Sequence, residues 1–237
     1  MRYIPKPNYS SAKSLLDDAR MTMRKIGLNE LYCNFSEKEQ LNSLLREEQK
    51  EICCYCQRRI DHYHGNIASG SHNEHFYPEG GDNARVGLQL DYSNIYACCN
   101  SSRRYEYRMQ HCGEYKGDKL IKTNFLQLKN CSDFFKYTIN GEILPQCPYN
   151  SYEDVLKNRN KLTSVQQDAL EMIECLNLNV VSLRKFRVNV LSDLFLYAKN
   201  RTSHQLIYKA QLINTERRRY LPLVDMLLFF LKKLVNK

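Results

Sequence analysis

Apolar residues near the start of the chain recur at three- and four-residue steps, which is the spacing of an amphipathic helix. Within residues 10–51 the spacing is carried by Leu15, Leu16, Ala19, Met23 and Ile26. Ser36, followed three residues later by Glu39, forms a capping box and predicts the start of a second helix. Residues 1–51 are therefore expected to be a helical N-terminal segment.

The middle of the chain, residues 52–120, lacks this periodicity. Glycines interrupt it repeatedly, and short strands are predicted only around residues 84–90. A segment with so few regularly spaced apolar positions needs another source of order, and a bound metal ion is the obvious candidate.

Helical spacing returns in residues 121–237. A second capping box, Ser164 with Gln167, predicts a helix start there. The last stretch, from Leu221 to Val235, is apolar over most of a helix circumference, so it must be covered by a helical bundle or by a partner. The third segment is therefore expected to be a helical, partner-binding region.

Composition and charge narrow the functional class. The chain has 237 residues, 43% of them hydrophobic and 26% charged, which favours a folded protein. Its formal charge of +9 suits a polyanion such as nucleic acid, although a basic surplus also serves solubility alone. With no apolar run of membrane length and no signal-peptide pattern at the N-terminus, we expect a cytoplasmic protein without a membrane partner.

Six of the ten cysteines fall between residues 53 and 112. Because the cytosol keeps thiols reduced, these cysteines are not expected to form a disulfide framework. Cys53 and Cys56 form a C-x2-C pair, and Cys99, or its neighbour Cys98, forms a second pair with Cys112. Two such pairs predict a structural zinc site with four thiolate ligands. The alternatives are a thioredoxin-like redox motif, for which the strand–helix–strand context is missing, and buried free cysteines.

Between the cysteine pairs, Glu74 directly precedes His75, and Asn94 follows some twenty residues later. A carboxylate can bind a hard divalent cation, and a neutral imidazole can take a proton from water. A lone Glu-His pair is usually an ordinary surface feature. Enclosed by two cysteine pairs, it instead predicts a hydrolytic site in which both side chains face the same backbone phosphate.

These motifs, C-x-Y-C, E-H-F-x-P, Y-S-N-I-x-x-x-C and H-C-x-x-x-K-G, span residues 53–118 and resemble the HNH endonuclease superfamily. More narrowly, they are similar to the PtuB group of Septu-type and retron-associated anti-phage systems. The resemblance implies an α+β fold, in which a small zinc-bound treble-clef core of two strands and a helix (the ββα-metal, HNH core, residues 52–120) is embedded in a mostly α-helical protein.

The resemblance also implies roles for individual residues. His75 would be the general base, Glu74 would help to bind a catalytic Mg²⁺ or Mn²⁺, and Asn94 would fix the loop between the strands. Lys116 would contact a phosphate from the short helix. The structural zinc ligands would be Cys53, Cys56, Cys99 and Cys112, with Cys99 preferred to Cys98 because the family places its cysteine five residues after the central asparagine.

One signature position departs from the family. The residue after the last zinc cysteine is a histidine, asparagine or aspartate in the family and is Gly113 here. Either His111, Glu114 or Asp118 substitutes for it, or the cation has fewer protein ligands, or catalysis is impaired.

The implied activity is metal-dependent cleavage of DNA or RNA in an anti-phage complex. Its partners would be a PtuA-like ATPase and, in retron versions, a reverse transcriptase with its msDNA. The alternative is a zinc-stabilised nucleic-acid-binding or adaptor subunit with an impaired site.

Two further features near the cysteine pairs are open to more than one interpretation. Arg103 and Arg104, interleaved with tyrosines, predict a nucleic-acid surface or else a solvated loop. His62, His64 and His72 are expected to lie in an exposed loop, from which any of them could approach the metal.

Overall fold

The computed structural model describes residues 1–60, 70–100, 102–215 and 219–236. Helices α1 (Ser11–Lys25) and α2 (Lys38–Glu48) form the N-terminal part. The side chain of Ser10 caps α1 by accepting hydrogen bonds from two backbone N–H groups of its first turn. The capping box predicted at Ser36 is wrong, because α2 is capped by Glu37 without a side-chain hydrogen bond.

An antiparallel hairpin follows, made of β1 (Ser71–His75) and β2 (Ile95–Cys99). Its register pairs Ser71 with Cys99 and His75 with Ile95. The strands predicted around residues 84–90 are wrong, since that stretch belongs to the connecting loop and contains a 3-10 turn at Val86–Leu88. Helix α2 packs against both strands, and the short helix α3 (Gly113–Lys116) follows the hairpin.

The C-terminal part contains a second hairpin and five helices among its described residues. The hairpin consists of β3 (Phe135–Tyr137) and β4 (Ile143–Pro145). The helices are α4 (Tyr152–Lys157), α5 (Ser164–Cys175), α6 (Val181–Ala198), α7 (Ser203–Thr215) and α8 (Val224–Val235). The α5 capping box is formed by Thr163 and Gln166, one residue earlier than predicted.

One apolar core runs through all three predicted segments. It includes Leu16 and Leu41 from the first, Tyr96 from the second and Ile173 and Leu231 from the third. Burying each such side chain contributes about 1.5–3 kcal/mol to the free energy of unfolding. The chain is therefore an α+β protein with two small antiparallel sheets among its described residues. Over the same residues, every helix is too short or too polar to span a bilayer.

Candidate functional site

Four buried cysteine thiols converge at one point. The Sγ atoms of Cys53, Cys56, Cys99 and Cys112 all lie within 4.8 Å of one another. The Cys56–Cys99 separation is 3.6 Å and the Cys53–Cys112 separation is 4.0 Å. A tetrahedral zinc ion with bonds of about 2.3 Å to sulfur spaces its ligands about 3.8 Å apart. The donor set and its spacing therefore suit a metal such as zinc.

Local backbone structure brings these thiols together from three places. Cys53 and Cys56 lie on a tight turn after α2, closed by the hydrogen bond from the Cys53 N–H to the Arg58 carbonyl. Cys99 ends β2. Cys112 precedes α3 with φ of 58°, a left-handed conformation that is costly for a residue with a side chain. A metal ion at this centre would join the turn, the hairpin and α3.

The Cys98 thiol lies beside Cys53 but outside the cluster of four thiols. Its Sγ lies 3.8 Å from that of Cys53 and accepts a hydrogen bond from the Gly113 N–H. Together with Cys53 and Cys54 it forms a second group of three thiols, which shares Cys53 with the first. Cys99, not Cys98, completes the four-sulfur cluster.

Glu74 lies in a polar pocket between β1 and α3. Its Oε1 accepts a hydrogen bond from the Tyr55 hydroxyl at 3.2 Å and lies 3.0 Å from the Lys116 ammonium. Its Oε2 lies 3.3 Å from Nε2 of His72. Burial alone would raise the pKa of Glu74, but the charges of Lys116 and His72 lower it to about 2. The carboxylate is therefore ionised and surrounded by donors.

Lys116 does not present its ammonium to solvent. Its side chain is 2% exposed. Besides the ion pair with Glu74, its Nζ donates hydrogen bonds to the carbonyls of His75 and Gly117, at 2.8 and 3.2 Å. The predicted phosphate contact by Lys116 is wrong in this arrangement, because internal oxygens already use the ammonium.

His75 lies on the opposite face of β1 from Glu74, since successive side chains of a strand alternate. Its ring packs edge-on against Tyr32 at a centroid distance of 4.6 Å. Its Nε2 lies 2.8 Å from the Gln89 carbonyl, and its Nδ1 lies 3.6 Å from the Glu79 carboxylate. Glu74 and His75 therefore occupy separate pockets, not a shared one as expected, and one backbone phosphate could meet both only at the end of β1.

Asn94 closes the loop that connects β1 and β2. Its Nδ2 donates to the carbonyls of Tyr77 and Leu88, at 3.0 and 3.1 Å, and its Oδ1 accepts from the Tyr77 N–H at 2.8 Å. Because Gln89 follows Leu88 directly, the asparagine also positions the carbonyl that contacts His75.

His72 and Glu74 fill the space next to Gly113. A Cβ atom at this glycine would lie 2.4 Å from Glu74 Oε2 and 2.7 Å from His72 Nε2. The prediction that His72 lies in an exposed loop is wrong, because it belongs to β1 and is largely buried. His72 and Glu74 are two positions apart, which is the strand period that places both side chains on one face. This spacing is the sequence signal that indicates the position of His72.

The two predicted nucleic-acid-binding arginines differ in their surroundings. Arg103 Nε donates to the Glu114 carboxylate at 2.8 Å and is partly buried. Arg104 is exposed, as are Tyr105 and Tyr107. Of the predicted loop histidines, His62 and His64 lie outside the described residues.

Comparison with known proteins gives no family assignment. No protein-family model matches the chain, and no curated protein matches it in sequence. The resemblance to HNH nucleases therefore depends on the sequence motifs of residues 53–118.

Proposed function

We propose that this protein is a metal-dependent endonuclease of the HNH type that hydrolyses phosphodiester bonds in DNA or RNA. The order of its parts supports the proposal: a cysteine turn, a two-stranded hairpin and a short helix, with four thiols joining them. This is the order expected of a treble-clef core, with zinc bound by Cys53, Cys56, Cys99 and Cys112.

The contact between His75 and Gln89 carries the proposal. A carbonyl oxygen can only accept a hydrogen bond, so Nε2 of His75 must hold the hydrogen and donate it. The other ring nitrogen, Nδ1, then keeps its lone pair and can take a proton from an attacking water. Asn94 fixes this arrangement by holding the loop next to Gln89.

Glu74 is a suitable donor for the catalytic cation, because its carboxylate is ionised and oxygen ligands suit a hard divalent cation. When bound, a divalent cation would supply positive charge against the phosphate in the transition state. Lys116 stays on the other carboxylate oxygen and holds Glu74 in place.

The opposite faces of Glu74 and His75 agree with an in-line reaction. The attacking and leaving oxygens of a phosphoryl group lie on opposite sides of phosphorus. A backbone phosphate that crosses the end of β1 would meet the base on one side and the carboxylate on the other. The hairpin offers few groups for reading base edges, so sequence specificity would come from partners.

The resemblance further suggests a defence complex with a PtuA-like ATPase and, in retron versions, a reverse transcriptase with its msDNA. Exposed apolar side chains on α6 and α7 support docking of a protein partner. Leu196 is 74% exposed and Tyr208 is 62% exposed. We propose that the C-terminal helices hold the nuclease in this complex in the cytoplasm.

A second candidate is a zinc-stabilised adaptor without activity. It is favoured by the ion pair between Lys116 and Glu74, which occupies one oxygen of the predicted cation ligand. The side chain of His75 is only 5% exposed, which also favours the adaptor.

One cleavage experiment separates the two candidates. Purified protein, alone and with its ATPase, is incubated with plasmid DNA, phage DNA and total RNA, with and without Mg²⁺ or Mn²⁺. The nuclease proposal predicts cation-dependent cleavage that His75→Ala abolishes while zinc content is retained. His204→Ala, which changes an exposed histidine on α7, is the matched control. No cleavage of any substrate, or cleavage unaffected by His75→Ala, would refute the proposal.

A further inference from the structure

The ring of His72 is held between two oxygen atoms. Its Nδ1 lies 2.5 Å from Oδ1 of Asn100, and its Nε2 lies 3.3 Å from Oε2 of Glu74. An amide oxygen can only accept, so Nδ1 holds the hydrogen and donates it to Asn100. Without a metal, the 3.3 Å contact is an ion pair in which Nε2 also holds a hydrogen and donates it to the carboxylate. A divalent cation between the two atoms would replace that proton and be bound by both.

The glycine at position 113 makes room for this pair. A Cβ atom there would lie 2.4 Å from Glu74 Oε2 and 2.7 Å from His72 Nε2, much closer than non-bonded atoms approach. A larger residue at 113 would therefore displace the very two atoms that face each other. The glycine and the histidine two residues before Glu74 depend on one another sterically.

We propose that His72 and Glu74 together bind the divalent cation, with the imidazole of His72 taking the place of the side chain that position 113 lacks. This inference rests on the proposed nuclease function and names the ligand set of its cation. Asn100 acts on the far side of the ring, where it fixes the tautomer that leaves Nε2 free, as outer partners of metal-binding histidines do.

The donor set also indicates which cation is preferred. Mg²⁺ prefers oxygen ligands, whereas an imidazole nitrogen beside a carboxylate suits first-row transition metals. The site should therefore bind Mn²⁺ more tightly than Mg²⁺.

Binding of Mn²⁺ itself, followed by electron paramagnetic resonance on the zinc-loaded full-length chain, tests the inference. Wild type should bind Mn²⁺, and excess Mg²⁺ should displace it only at concentrations at least about tenfold higher. Replacing His72 by glutamine, which keeps most of the bulk, should weaken Mn²⁺ binding at least about tenfold, and Gly113→Ala should do the same. His204→Gln is the matched control. Unchanged Mn²⁺ affinity in His72→Gln would overturn the inference.

A measurement on the wild-type protein keeps the test independent of how the variants fold. Bound Mn²⁺ coordinated by an imidazole shows nitrogen couplings in pulsed electron paramagnetic resonance. We expect these couplings in wild type and their loss in His72→Gln. Bound Mn²⁺ without any nitrogen coupling would refute a histidine ligand.

The outcomes for the cation site and for the nuclease are distinguishable. His75→Ala should bind Mn²⁺ as wild type does and yet cleave nothing. If Mn²⁺ binds through His72 but no nucleic acid is cut, the ligand assignment stands and the nuclease proposal fails. If His75→Ala abolishes cleavage while His72→Gln leaves Mn²⁺ binding unchanged, only the assignment of His72 as a ligand fails.

Discussion

The ammonium of Lys116 lies 3.0 Å from the carboxylate of Glu74, and both side chains are more than nine-tenths buried. A cation in this position offsets the cost of burying Glu74, and Glu74 offsets the cost of burying Lys116. The pair therefore links α3 to β1 directly beneath the proposed cation site.

Removal of one partner of this pair should be strongly destabilising. We expect Lys116→Met to lower the free energy of unfolding by about 3–5 kcal/mol, because Glu74 is left as an uncompensated buried charge. Urea unfolding of the zinc-loaded protein measures it, and the double variant with Glu74→Gln should recover part of the loss. If Lys116→Met loses less than about 1 kcal/mol in unfolding free energy and also loses nucleic-acid binding, the phosphate contact predicted from the sequence is correct.

Loss of the metal centre should unfold the hairpin region. We expect about one zinc per chain in wild type and none in Cys56→Ser, with reduced solubility, because metal binding and folding are coupled. Cys98→Ser should retain its zinc, since Cys98 lies outside the four-sulfur cluster. Metal analysis of both variants, with exposed Cys33→Ser as the control, decides the ligand set. Zinc loss in Cys98→Ser but not in Cys99→Ser would contradict the assignment.

Asn94 should support His75 through the loop. Asn94→Ala removes three hydrogen bonds and leaves buried backbone groups unpaired, so we expect a loss of about 2–4 kcal/mol in unfolding free energy. Cleavage should also slow, since the Gln89 carbonyl is no longer held against the ring. Thermal unfolding and cleavage rates measure the two effects. Full stability with full activity would show that the loop needs no such support.

Lys6 should make stability rise at alkaline pH. Burial lowers the pKa of this lysine to about 8, although its Nζ donates to the Ile95 carbonyl and lies over two tyrosine rings. Between pH 8 and the usual lysine value near 10.5, the unfolded chain holds a proton that the folded chain does not. Stability from this group therefore increases with pH in that window.

The expected size of the Lys6 effect follows from the width of the window. Relative to Lys6→Met, wild type should gain about 1.5 kcal/mol in unfolding free energy between pH 8 and pH 9.5. Taking the difference between the two proteins removes the contribution of the cysteines and tyrosines, which titrate in both. A flat difference across this range would mean that Lys6 keeps an ordinary pKa.

The sequence predicted the cysteine cluster because ligand spacing is a local property. A C-x2-C turn and a second pair are visible without knowledge of the fold. The spacing alone leaves Cys98 and Cys99 open, and the preference for Cys99 comes from the resemblance to HNH nucleases. Helix α1 is also predictable, because its apolar residues recur with the helical period.

The features that sequence reasoning missed depend on tertiary contacts. Strand β1 reads Ser-His-Asn-Glu-His, which has no apolar alternation, so the hairpin was placed wrongly. Lys116 is buried because its ammonium contacts oxygens from β1 and from the end of its own helix. The sequence around the lysine does not indicate these contacts. His72 was assigned to a loop for the same reason that β1 was missed.

The most direct test of the account is the rate of phosphodiester cleavage at saturating Mn²⁺ for wild type, His75→Ala and His204→Ala, all with equal zinc content. Loss of a general base costs about 10²–10⁴-fold, so His75→Ala should fall by at least about 100-fold while His204→Ala keeps the wild-type rate. Equal rates for the two alanine variants would contradict the assignment of His75 as the base.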